Sequence, residues 1–262
     1  MTAPNPALAY EEIYVPAYFR PLGNALLDRV QPARADRILD VACGTAILAR
    51  LIHERVDLPK RLVGVDVNPA MVAVGQSLAP FADCRQGDAT TLEFGDAEFD
   101  LVLCQHGLMF FPDRTRALAE MRRVLTRDGR LGVSTWRPIS EHPLSEAFIR
   151  AGRRLVDAPI DLPWALGDAA QLQAMIEAAG FGDVRVDTVE VTARFLDARA
   201  FTRMSVLAFG AVLPGFAAMS DSARSAFITT IEAETADVMA QHRDGDGVKF
   251  PVRANLVTGK AR

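Results

Sequence analysis

RILDVACGTA, Arg37 to Ala46, is an apolar run of strand length that ends in an acidic residue and breaks at a glycine turn. Ile47–Arg55 follows with apolar residues at helical spacing. RLVGVDV, Arg61–Val67, repeats the strand pattern. Asn68-Pro69 then reads as a helix start, with Asn as cap and Pro at the first helical position, and Ala70–Ala79 continues it. Asp83–Gln86 reads as a short third strand, Phe99–Cys104 as a fourth and Arg130–Trp136 as a fifth. Between the last two, Asp113 caps a helix expected to run to Thr126 and to stop at Gly129. Strands alternating with helices over 37–136 predict a parallel sheet with right-handed crossovers.

Outward from this core the pattern loosens. Residues 7–31 read as a helix with Tyr10, Tyr14, Tyr18 and Phe19 at helical spacings. That stripe is either a face packed on the core or a lid over a ligand. Pro143–Val156 reads as a helix, Ala158–Gly167 as a loop, and Asp168 caps Ala169–Ala179, which Gly180 ends. Val184–Phe195 and Val248–Thr258 are late strand candidates, bringing the expected sheet to seven strands. Ala198–Ala240 reads as helical in pieces, broken at Pro214-Gly215. Residues 137–167 and 197–242 therefore read as insertions able to cover one edge of the sheet.

Composition bounds the function. The 262 residues are 50% hydrophobic and 24% charged, an ordinary globular balance. A net charge of −4 provides no field to gather nucleic acid. Cys43, Cys84 and Cys104 are odd in number and widely spaced, which predicts free thiols in a cytoplasm, with neither a disulfide framework nor a zinc site. The N-terminus has no basic start and no apolar core of a secretory signal. The longest apolar stretch, Met204–Met219, is interrupted by Gly210, Pro214 and Gly215, and is too short to span a bilayer. It reads as a buried packing helix, a pocket wall or an interfacial surface for a lipid-like acceptor. No His/Cys/Asp/Glu cluster has metal-ligand spacing. The arginines Arg114, Arg116, Arg122, Arg123 and Arg127 read as a solvated outer face rather than a phosphate site.

In an open parallel sheet, ligands bind beyond the carboxyl ends of the strands, where the strand order reverses. Asp40 and Gly44 close the first strand, Asp66 the second, Gly87-Asp88-Ala89 follows the third, and Gln105-His106-Gly107 the fourth. Gly44 lets the backbone approach a ligand, and an acidic residue at Asp66 can accept from two ribose hydroxyls. A dinucleotide site calls for G-x-G-x-x-G, and this loop has alanine at 42.

These motifs in this order (LDVACGTA, LVGVDVNPAMV, GDATTLEF, FDLVLCQHGLMFFPD, MRRVLTRDGRLGVSTWRP) resemble the class I S-adenosylmethionine-dependent methyltransferases. The nearest likeness is to small-molecule enzymes of the ubiquinone/menaquinone-biosynthesis type. The resemblance covers roughly 37–136. It implies an α/β, Rossmann-like, doubly wound, mostly parallel seven-stranded sheet with helical cap insertions. Residues 1–36 would be an aromatic helical lid and 37–262 the methyltransferase domain. It implies that Asp40, Cys43 and Gly44 hold the methionine end of S-adenosylmethionine, with Gln105 near the transferred methyl. Asp66 would bind the ribose, Val67 and Met71 flank the adenine, and Asp88 with Ala89 read its edge. The family's second loop glycine is Ala46 here, which the loop accommodates if residue 46 has φ below zero. The chain lacks the proline-rich motif after the fourth strand that amino-directed enzymes carry.

The expected reaction moves a methyl group to a small aromatic or hydrophobic acceptor, by a monomer or homodimer, with S-adenosylhomocysteine as product. His106 is the candidate base. Tyr14, Tyr18, Phe19, Phe110, Trp136 and Trp164 are the candidate acceptor wall, and His142 could also line the pocket. Two other readings are a nicotinamide-dependent oxidoreductase and a protein that binds the cofactor without catalysis.

Overall fold

The computed structural model describes residues 6–153, 162–211 and 219–262. In chain order its elements are α1 (Pro6–Tyr14), a π-helical turn (Val15–Phe19), α2 (Arg20–Val30), β1 (Arg37–Val41), α3 (Ile47–Val56), β2 (Arg61–Asp66), α4 (Pro69–Leu78) and β3 (Asp83–Gln86). Then come β4 (Phe99–Gln105), α5 (Arg114–Val124), β5 (Leu125–Trp136), α6 (Pro143–Arg153), α7 (Ala169–Ala178), β6 (Phe181–Phe195), α8 (Ala198–Ala211), α9 (Asp221–Gln241), β7 (Arg243–Asp244) and β8 (Gly247–Ala261). Pro214-Gly215, the end of the helix expected to Val156 and the start of the loop from Ala158 lie outside the described residues.

One sheet runs β3-β2-β1-β4-β5-β8-β6, with the two-residue β7 paired to β8. The first five strands are parallel, and β8 is antiparallel to both β5 and β6. The order reverses between β1 and β4, which opens the crevice in which such sheets bind ligands.

Neighbouring residues of the inner strands serve opposite faces. Leu101 and Leu103 of β4 pack with α2 and α3 through Leu26, Leu27, Leu48, Leu51 and Ile52. Val102 and Cys104 pack on the other face with Leu118 and Met121 of α5 and Leu172 and Ile176 of α7. Each such buried aliphatic side chain stabilises the fold by roughly 1.5–3 kcal/mol relative to exposure. Glycine is required where α2 crosses β5: a Cβ on Gly132 would lie 2.7 Å from Val30 Cγ1. The Asn68 cap forms as expected, its side chain accepting from the Ala70 amide at 2.9 Å.

Two local expectations are corrected. The helix capped by Asp113 ends at Val124, two residues before Thr126, because Leu125 turns extended (φ −76°, ψ 139°) and pairs with Phe99. The stop expected at Gly129 is instead a turn inside β5, with Asp128 at φ 63°. The expected outer face keeps Arg116 and Arg127 exposed, while its other arginines also clamp the chain. Arg123 reaches Glu120 and Asp96 at 2.8 Å and also donates to the carbonyls of Leu92 and Phe94. Arg122 donates to the Gly180 and Arg262 carbonyls, and Arg127 lies beyond the helix, in β5.

A third core stands beyond the carboxyl ends of the strands. β5 pairs with β8 only as far as Ala254, while β6 pairs with β8 out to Val248. This overhanging pair of strands carries Phe195, Val248, Phe250 and Val252, against which Tyr14, Leu144, Phe148, Phe201 and Ile231 pack. Residues 6–19, α6, α8 and α9 meet there. The expected N-terminal segment 1–36 thus divides in two. Residues 6–19 join this cap, whereas Leu26, Leu27 and Val30 of α2 belong to the sheet's own core.

Candidate active site

The loop after β1 is the tightest backbone in the site. Ala42, Gly44 and Ala46 all take the left-handed conformation, at φ 60°, 55° and 62°. Ala46 therefore does not have the negative φ that its methyl group calls for. It is also fully buried, and its amide donates to the Cys43 carbonyl at 2.9 Å. A Cβ on Gly44 would meet nothing closer than the Tyr10 ring and hydroxyl at 4.0 Å, so the loop presents bare backbone to open space. Asp66 at the end of β2 braces the loop: one carboxylate oxygen accepts from the Gly44 amide at 2.8 Å, the other from Asn68 at 2.9 Å.

One cavity of about 560 Å³ opens over these strand ends, within the range typical of small-molecule sites. Gly44, Asp66, Val67, Met71, Asp88 and Ala89 line one end. Asp88 is exposed; its carboxylate accepts from the Thr90 amide and hydroxyl, which hold its pKa below the usual range. Asp66, mostly desolvated, is pushed the other way. Gln105 lines the middle of the cavity, where its amide donates to the Phe19 carbonyl at 2.8 Å and ties the π-helical turn to the end of β4.

Two expected residues stand off the cavity. Asp40 is 2% exposed, and one of its carboxylate oxygens is buried without a partner. Burial, with Cys84 and Asp66 nearby, drives its pKa well upward. Cys43 turns into the core, its sulfur 2.9 Å from where a Cβ on Gly64 would lie. It exchanges a hydrogen bond with Cys84 there, and all three cysteines are free and buried.

The other end of the cavity is aromatic. Tyr14, Tyr18, Phe19, Phe110, Trp136 and Trp164 all line it. His106 stands at the turn out of β4 at φ 53°, its ring 4.2 Å from that of Trp136 and 5.7 Å from that of Phe19. Its Nδ1 shares a hydrogen bond with Ser134 Oγ at 2.8 Å, while Nε2 is buried and unpartnered. Burial pushes its pKa down to about 3, so the ring is neutral at physiological pH.

A family model described as a methyltransferase domain matches residues 39–133. Nocamycin O-methyltransferase of Saccharothrix syringae is 30% identical over 196 residues, covering 64% of this chain and 67% of that protein. This chain belongs to the methyltransferase family. Other relatives align over a shorter core. Aklanonic acid methyltransferase DauC of Streptomyces sp. (strain C5) is 29% identical over 45% of this chain and 56% of that protein. Demethylmenaquinone methyltransferase of Deinococcus radiodurans is 41% identical over 36% and 41%. The chain thus spans about half the length of most of these relatives. The methyltransferase fold itself extends further. YcgJ of Bacillus subtilis overlays 92% of this chain and 99% of its own at TM-score 0.59 and 22% identity. The [4+2]-cyclase SpnF overlays 92% and 81% at TM-score 0.58 and 21% identity.

Sequence reasoning passed over several cavity residues of this methyltransferase, Tyr10, Ser145, Phe148, Phe201 and Val252, whereas Ser205 falls in the 204–219 stretch read as a candidate pocket wall. Tyr10 had a signal, since it lies four residues before Tyr14 on the same helical stripe. The rest come from the cap, where no motif marks them.

Proposed function

We propose that this protein transfers a methyl group from S-adenosylmethionine to a small aromatic or hydrophobic acceptor. The observation that carries this reading is one cavity with two unlike ends. An acidic end lies over the β1–β3 loops, and an aromatic end lies beneath the cap.

The residues present fit the cofactor. In this reading Asp66 takes the ribose hydroxyls with lone pairs left over from its two backbone bonds. Val67 and Met71 flank the adenine, and Asp88 with the Ala89 amide reads its edge. Gly44 and Gln105 face the methionine part, with Asp40 and Cys43 supporting the loop from beneath. When bound, the sulfonium supplies an already activated methyl group.

What remains for the protein is alignment of the nucleophile and exclusion of water, and alignment alone can supply roughly 7–11 kcal/mol. Residues 6–19 and the described parts of the two insertions serve as the cover. His106 Nε2 holds the acceptor's reacting group. A ring with so low a pKa does not strip a phenol of its proton beforehand. An O–H losing electron density to a new methyl becomes strongly acidic, and a lone pair already bonded to it takes the proton then. We infer a cytoplasmic enzyme, monomeric or homodimeric, acting on a small molecule and not on nucleic acid. Free thiols and a net charge of −4 support this, and no helix among the described residues is long and apolar enough to cross a membrane.

Calorimetric titration with S-adenosylhomocysteine, and with NADH in parallel, tests the cofactor. Binding of the first alone is expected. Asp66→Ala is expected to weaken it by roughly 10–100-fold, the loss of hydrogen bonds to a charged group. Unchanged affinity removes the ribose assignment. Tight NADH binding favours the oxidoreductase instead.

A further inference from the structure

The aromatic end holds a second histidine that the proposed transfer leaves without a role. His142 sits between the short 3₁₀ turn Ile139–Glu141 and α6, is 3% exposed, and lines the cavity. Its ring lies 5.9 Å from that of Trp136, which also touches His106, and 6.4 Å from that of Trp164. Backbone hydrogen bonds at Arg137 and Arg253 favour its protonated form. A backbone group with that effect is a carbonyl accepting from a ring N–H. Nε2 is buried without a partner, which leaves Nδ1 as the ring nitrogen for those carbonyls. A neutral imidazole that donates at Nδ1 presents a lone pair at Nε2. Burial outweighs the carbonyls and nearby Glu141, bringing the pKa down to about 4, so the lone pair persists at neutral pH.

The surroundings narrow the ligand further. Among the described lining residues the only charged side chains are Asp66 and Asp88, both at the opposite end. A carboxylate or ammonium group at the aromatic end would be desolvated with no charged partner among the described lining residues. Flat rings such as Trp136, Phe148, Trp164 and Phe201 suit a planar molecule.

Taking the methyl-transfer reading as its premise, we propose that the acceptor is an uncharged, hydroxylated planar molecule. His142 Nε2 accepts a hydrogen bond from a hydroxyl other than the one that receives the methyl. His142 is then a specificity residue, and His106 faces the reacting group.

Three probes test this by calorimetry, with and without saturating S-adenosylhomocysteine: 1,5-dihydroxynaphthalene, 1,5-dimethoxynaphthalene and 1-naphthoate. The diol is expected to bind roughly tenfold more tightly than the dimethoxy compound, which has no O–H, and than the charged naphthoate. In His142→Phe and His142→Ala the preference for diol over dimethoxy compound falls to within about twofold, and S-adenosylhomocysteine affinity is unchanged. Using both variants guards against one that fails to fold. A preference that survives both substitutions overturns the proposal. So does naphthoate binding as tightly as the diol, or no binding by any probe. If S-adenosylhomocysteine fails to bind while the diol preference and its dependence on His142 hold, the cofactor reading falls and the acceptor site stands.

Discussion

Ala46 holds a methyl group at φ 62° with no exposed surface. The left-handed conformation costs an alanine about 1–2 kcal/mol. Replacing it with glycine removes that strain, but adds about 0.5–1 kcal/mol of unfolded-state entropy and loses a buried methyl of about 0.8 kcal/mol. The contributions nearly cancel, so Ala46→Gly is expected to change stability by less than about 1 kcal/mol in urea denaturation. Ala46→Val adds a β-branched side chain to the same conformation in a full site and is expected to cost at least about 2 kcal/mol. His106 makes a prediction of a different kind. Its folded pKa, about 3, lies below the ordinary histidine value of about 6.5. Between those values the unfolded chain binds a proton that the folded one does not, so this contribution is complete above pH 6.5 and drains away as pH falls toward 3. His142, brought down to about 4, acts with the same sign. Asn tolerates the left-handed backbone at 106. His106→Asn should therefore flatten the fall in Tm between pH 6.5 and 4, and a profile as steep as the parent's would refute the burial argument.

The N-terminal segment joins the cap to the sheet. α1 is held by the Glu11–Arg50 pair at 2.8 Å, by Tyr10 stacked on Phe19, and by the Gln105 bond to the Phe19 carbonyl just beyond it. Pro16 and the π-helical turn interrupt the helix between the two tyrosines Tyr14 and Tyr18. If residues 6–19 close over the ligand, amides in 7–20 gain hydrogen-exchange protection when S-adenosylhomocysteine binds. Unchanged protection means that the stripe of tyrosines is only a packed face. The overhanging β6–β8 strand pair faces it, and its long paired strands give α6, α8 and α9 a common floor.

At the scale of the molecule, the cavity is assembled from segments far apart in the chain, including Tyr10–Phe19, Ala42–Gly44, Gln105–Pro112, Trp136–Phe148 and Phe201–Ser205. A ligand that needs all of them stabilises only the folded state. At about a hundred times its Kd, S-adenosylhomocysteine should add ~2.7 kcal/mol, or roughly 5–10 °C in Tm for a chain of this size. NADH should leave Tm unmoved. A shift from NADH alone in scanning calorimetry would contradict the cofactor reading.

The sequence by itself determined the sheet and the acidic end of the site. β1, β2 and β4 are buried on both faces, so each reads as a short apolar run, and the ligand-facing polar residues fall at the strands' carboxyl ends because the topology puts ligands there. Asp66, Asp88 and Gln105 were legible for that reason. Only the tertiary structure decided the backbone of Ala46 and the turning of Cys43 into the core. It alone decided where α5 gives way to β5, and that Tyr10 and His142 face one cavity. A one-residue dihedral leaves no periodic trace in the sequence. The cap's contacts join residues more than a hundred positions apart, such as Tyr18 and Phe250, and no local pattern records which of its aromatic side chains meet.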